Sequence, residues 1–121
     1  MTQEKIKTPP IDFYITNVCN FNCVDCLSFN NYYFSGQQLW DDYADIYKKW
    51  GELIDIPYIC ILGGEPTLNP TLLKWIDGIA SLWKNSVINV TTNATLLNNV
   101  NGLYDTLMKY NGRVYLDIGL H

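Results

Sequence analysis

No apolar run in this 121-residue chain approaches the roughly 20 residues needed to cross a bilayer. The first ten residues are polar, carry Pro9 and Pro10, and lack the apolar stretch of a secretory signal. Both absences point to the cytoplasm, with no membrane partner and with thiols kept reduced. Positive charge is scarce as well. Eight Lys and Arg stand against twelve Asp and Glu, for a formal net charge of -4. The basic residues are scattered, and the only adjacent pair, Lys48-Lys49, reads as part of a solvated helix face. This balance argues against a nucleic-acid partner that relies on phosphate neutralisation. Low-complexity tracts and internal linkers are missing too. The chain divides into a polar N-terminal extension, residues 1–10, and one domain over 11–121. Apolar residues make up 48% of it, enough for a core rather than a disordered tail.

Short apolar runs alternate with longer helical periods. Ile11 to Asn17, Ile56 to Leu62, Val87 to Thr92 and Arg113 to Leu120 read as strands, rich in β-branched and aromatic residues. Between the first two, Leu39, Tyr43, Ile46, Tyr47, Trp50, Leu53 and Ile54 recur at helical spacing. Asn69-Pro70 reads as an N-cap with proline in the first turn, followed by the stripe Leu72, Leu73, Ile76, Ile79, Ala80 and Trp83. A third stripe, Leu97, Val100, Tyr104, Leu107 and Met108, ends at Asn111-Gly112. The order β-α-β-α-β-α-β implies an α/β fold with a parallel sheet and right-handed crossovers. In such sheets ligands sit at the C-terminal ends of the strands. The loops at those ends hold the chain's most unusual residues.

Cys19, Cys23 and Cys26 follow the first strand with the spacing C-x3-C-x2-C. Three thiolates in eight residues, in a reducing compartment, read as metal ligands rather than disulfides. A cubane cluster has four irons, so three cysteines leave one iron open for a further ligand. Zinc is the alternative, since it takes four N or S ligands. Its only further candidates are Cys60, which lies among isoleucines and reads as a buried small hydrophobe, and the terminal His121. Gly63-Gly64-Glu65-Pro66 follows the second strand. Its glycines permit close backbone approach or positive φ, Glu65 offers an anion for an ammonium group, and Pro66 stiffens the turn. Asn93, in Thr91-Thr92-Asn93-Ala94, ends the third strand as either a ligand contact or a cap for the next helix. A positive φ at Ala94 would be strained.

The cysteine motif and the GGEP turn resemble the radical S-adenosylmethionine (radical SAM) superfamily. The runs ITNVCNFNC, SFNNYYFSG and ILGGEPTLNP are similar to those of small phage and environmental members. The resemblance covers essentially the whole chain, as the N-terminal half of that family's core, a partial (β/α) barrel. It implies a [4Fe–4S] cluster on Cys19, Cys23 and Cys26. S-adenosylmethionine would chelate the open iron, with its methionine end contacted by Gly63, Gly64, Glu65 and Pro66 and a further contact at Asn93. It implies reductive cleavage to methionine and a 5′-deoxyadenosyl radical, which abstracts hydrogen from a substrate the sequence does not name. A flavodoxin- or ferredoxin-type reductant is implied as partner. Asp25 stands where the family often has an aromatic residue, and Gly119 stands near where a ribose-contacting serine would be sought, beside Asp117. The chain stops at His121, directly after the fourth strand, whereas a closed eight-stranded barrel takes roughly 200 residues or more. The expectation is a fragment, a truncated gene, or a subunit that needs a partner or a second copy. The alternative to an enzyme is a non-catalytic cluster- or zinc-binding module, or an inactive fragment acting as a partner subunit.

Overall fold

The computed structural model describes residues 4–16 and 36–119. Its elements run β1 (Ile6–Lys7), β2 (Ile11–Thr16), α1 (Trp40–Leu53), β3 (Ile54–Asp55), β4 (Tyr58–Gly63), α2 (Leu72–Leu82), β5 (Val87–Thr92), α3 (Leu103–Lys109) and β6 (Val114–Ile118). β2, β4, β5 and β6 form one sheet in that order, with every neighbouring pair parallel. Spatial order follows chain order, and each step is spanned by a helix. This is the α/β architecture of a partial barrel, as the alternating periods imply. β1 and β3 pair separately and in parallel, Ile6 with Ile54 and Lys7 with Asp55. No helix among the described residues is long and apolar enough to cross a membrane.

Strand residues alternate between two environments, as the period of two dictates. Phe13, Ile15, Ile59, Ile61, Ile88, Val90 and Val114 are buried in a core shared with Trp40, Trp75, Ile76, Ile79 and Trp83. The intervening residues, among them Asp12, Tyr14, Asn89, Tyr115 and Asp117, are exposed or half-buried. The sheet thus has a packed outer face and an open inner one.

The inward face of α1 overlaps the predicted stripe only in part, since Tyr47 and the following Ile54 pack against the core. Leu39, Ile46, Trp50 and Leu53 are all exposed. The line that packs is Trp40, Ala44, Tyr47 and Gly51. Small residues let the helices approach. A Cβ on Gly51 would lie 3.3 Å from Leu82 Cβ, and one on Gly78 only 2.1 Å from Cζ2 of Trp40. Large apolar residues therefore occur on both sides of this helix and do not alone mark the packed one.

α2 begins at Leu72 rather than at Pro70, with Thr71 as N-cap. Its C-terminal end is held by Arg113, whose Nη2 donates to the carbonyls of Ala80 at 3.1 Å and Trp83 at 2.8 Å. The third predicted helix splits. Leu97–Asn99 is a single 3-10 turn, and α3 starts only after Gly102, which is left-handed at φ 87. Asn98, Asn99, Asn101 and Gly102 are weak helix formers, and the left-handed glycine breaks the period. Tyr104 and Met108 consequently face solvent, while Leu103 is buried.

Candidate functional site

The C-terminal ends of β2, β4 and β5 lie side by side. Cys19, Cys23 and Cys26 fall outside the described residues, as do Asp25 and His121. The two described ends of that stretch, however, meet. Thr16 forms an antiparallel bridge with Gln37. The Gln38 N–H donates to the Ile15 carbonyl at 2.8 Å, and Thr16 Oγ1 to the Gly36 carbonyl at 3.4 Å.

Asn69 locks this neck. It is buried, and its Nδ2 donates to the carbonyls of Ile15 and Gln38, each at 2.8 Å. Its Oδ1 accepts from the N–H and the hydroxyl of Thr71, also at 2.8 Å each. Both amide donors and both acceptor positions are thus satisfied. From sequence, Asn69 reads as a helix cap and nothing more. An Asn-Pro pair carries no signal of its bonds to residues 31 and 54 positions away.

The glycine turn is fitted against the same neck. Gly63 has φ +157, and a Cβ on it would stand 2.2 Å from the Thr16 carbonyl oxygen. The Gly64 N–H donates to that oxygen at 2.8 Å. A backbone-to-backbone approach of this kind requires glycine. Pro66 is buried and opens a 3-10 turn over Pro66–Leu68, with Glu65 as its N-cap.

Glu65 is 1% exposed. Its Oε2 accepts from the Thr67 N–H at 3.1 Å, the Thr67 hydroxyl at 2.5 Å and the Thr92 hydroxyl at 2.5 Å. Its Oε1 accepts from the Asn93 N–H at 2.7 Å. The carboxylate therefore ties the end of β4 to the end of β5. Asn93 Oδ1 accepts from the N–H and the hydroxyl of Thr95, at 3.1 and 2.7 Å. This local turn is the capping geometry open to asparagine. Ala94 has φ 67, the strained left-handed conformation. Its N–H donates to Thr92 Oγ1 at 3.1 Å.

Below this rim, the inner sheet face carries Cys60. The thiol is half-buried rather than core, because it has the opposite parity to Ile59 and Ile61. Asp12 is its register partner on β2, and its Sγ lies 3.4 Å from Thr91 Oγ1. Burial, then the charges of Asp12 and Asp117, raise its pKa against the opposing pull of the Thr91 hydrogen bond. Asp117 is paired in register with Thr91.

The profile of the radical SAM superfamily matches residues 13–121. The chain belongs to that superfamily. The match defines the superfamily and nothing finer, so the likeness to phage and environmental members is not part of it. A search of the curated proteins returned no match.

Proposed function

We propose that this chain binds a [4Fe–4S] cluster through Cys19, Cys23 and Cys26 and is a radical SAM enzyme. S-adenosylmethionine would be held where the Gly63-Gly64-Glu65-Pro66 turn meets Asn93. The observation that carries this reading is the junction at Thr16. The residue that precedes the cysteine-bearing stretch is the one against which the glycine turn is fitted. In a superfamily member, that junction would bring the cysteine motif, which begins three residues after Thr16, close to the glycine turn.

The described residues suit the charged end of an amino acid. Gly63 and Gly64 are half-buried, so their peptide groups lie at the rim rather than in the core. When bound, the cluster supplies one electron that cleaves S-adenosylmethionine to methionine and a 5′-deoxyadenosyl radical, for hydrogen abstraction from an unidentified substrate. The electron would come from a flavodoxin- or ferredoxin-type donor. The chain's own part is to position and to shield. The neck fixes where the cysteine stretch leaves the sheet, and the glycine turn fixes the rim beside it. The inner sheet face, with Tyr14, Cys60 and Asp117, forms the floor on which a substrate would lie.

The test is anaerobic reconstitution with iron and sulfide, followed by reduction in the presence of S-adenosylmethionine. About four irons and four sulfides per chain are expected, with 5′-deoxyadenosine formed by the wild type and absent in Cys23→Ala. One zinc per chain and no bound iron would overturn the reading in favour of a structural metal module.

A further inference from the structure

We propose that Glu65 serves S-adenosylmethionine indirectly, as a positioning residue whose carboxylate braces the glycine turn against the Thr92-Asn93 turn. This inference rests on the reading above and changes the part that the motif's acidic residue plays in it. A glutamate that gripped an ammonium group through its side chain would turn a carboxylate oxygen toward the ligand. Glu65 does the opposite. Its side chain is 1% exposed and receives four donors, three on Oε2 and one on Oε1. No Lys, Arg or His among the described residues forms an ion pair with it. Converging N–H and O–H groups complement an acceptor-only carboxylate, and hydrogen bonds to a charged acceptor are the stronger kind.

The donors also reveal what is braced. Thr67 belongs to the turn that follows Gly63 and Gly64, whereas Thr92 and Asn93 lie 27 and 28 positions beyond Glu65, at the end of β5. Thr92 is itself 2% exposed, and it passes the connection on. Its hydroxyl accepts from the strained Ala94 N–H, and its carbonyl accepts from Gly119, just past β6. One carboxylate therefore sets the spacing of two rim turns and is linked to a third strand end. The carboxylate, engaged by these four donors, fixes the two turns that would frame the ligand's charged end. Thr92 and Thr67 become part of the binding machinery without touching the ligand.

The test uses the reconstituted wild type and the variants Glu65→Gln, Thr92→Val and Glu65→Gln with Thr92→Val. Each is titrated anaerobically with S-adenosylmethionine and with its analogue in which the α-ammonium is replaced by hydrogen. Iron and sulfide are measured alongside. The brace predicts that each single variant weakens both compounds by a similar factor, about tenfold or more. The double variant should lose no more than the larger single loss, because both changes break one linkage. Leu107→Ala, which disturbs core packing away from the rim, should lower the melting temperature and leave affinity unchanged. If Glu65→Gln weakens S-adenosylmethionine but not the analogue, the carboxylate grips the ammonium directly and the proposal falls. It also falls if Thr92→Val, which preserves shape, binds like the wild type, and this arm stands even where Glu65→Gln does not fold. A wild type that takes up neither the cluster nor the ligand overturns the underlying reading, and this inference with it.

Discussion

The α-carbon of Gly63 faces the carbonyl oxygen of Thr16 so closely that a methyl group on it would lie 2.2 Å from that oxygen. The opposing atoms are backbone, so neither side can rotate away. Gly63→Ala is expected to destabilise the fold by about 2–4 kcal/mol, through overpacking and backbone strain together. Gly112 provides the comparison, because it has φ +89 but nothing within 4 Å of where a methyl group would stand. Gly112→Ala should lose only the left-handed penalty of roughly 1–2 kcal/mol. Urea denaturation of both variants checks this. Equal losses would mean that the contact with Thr16 is not what demands glycine.

Asn69 joins both sides of the neck through its amide donors, so removing them cuts the tie between the Ile15 and Gln38 carbonyls, which then keep the Gln38 N–H and the Trp75 Nε1 as donors. Asn69→Ala is expected to cost about 2–4 kcal/mol, from unmet hydrogen bonds and lost packing. Asn69→Asp should be at least as damaging, since an acceptor-only group would then face two carbonyl oxygens. Iron uptake should fall in both, because the ends of the cysteine stretch are held by fewer bonds. A stable Asn69→Asp protein would refute the role given to the amide.

Ala94 is left-handed where a glycine would sit without penalty. Ala94→Gly should stabilise the protein by up to about 1 kcal/mol. The relieved strain is roughly 1–2 kcal/mol, and the extra freedom of glycine in the unfolded chain takes back roughly 0.4–1 kcal/mol. Thermal melts settle the sign. A lower melting temperature would show that the turn holds Ala94 without strain.

Cys60 should label slowly with iodoacetamide at pH 8, because burial and the neighbouring Asp12 and Asp117 raise its pKa. Asp12→Asn should speed the reaction by less than about tenfold, the factor that a full pKa unit would give. Peptide-level mass spectrometry separates this site from the other cysteines. The folded thiol keeps its proton to higher pH than the unfolded one. Its contribution to stability is therefore present below the ordinary thiol range and lost as pH rises through the folded pKa. A labelling rate equal to that of the denatured chain would contradict the assignment.

The sheet was legible because its strands report burial directly. Val87 to Thr92 is a strand with the bounds read from sequence, and its alternation is visible in the side chains. The helices were harder. On α1, apolar residues occupy both the packed line and the exposed one, so periodicity alone could not choose between them. Ala44 and Gly51 pack because they are small, which a search for large apolar residues overlooks. The rim was legible as a set of motifs but not as a network. Nothing in Gly-Gly-Glu-Pro says that its glutamate reaches Thr92, since that bond exists only once two strands have paired. Asn69 was obscured in the same way, as its partners are set by tertiary contact.

The chain leaves the sheet at Thr16 and re-enters it at Gln37, and those two positions are bridged to each other. A closed neck anchors both ends of the intervening stretch to one point on the sheet. β2 and the entry to α1 stay tied to each other so long as Ile15, Gln38 and Asn69 keep their mutual bonds. A change of length between those ends would therefore meet a barrel wall already in register.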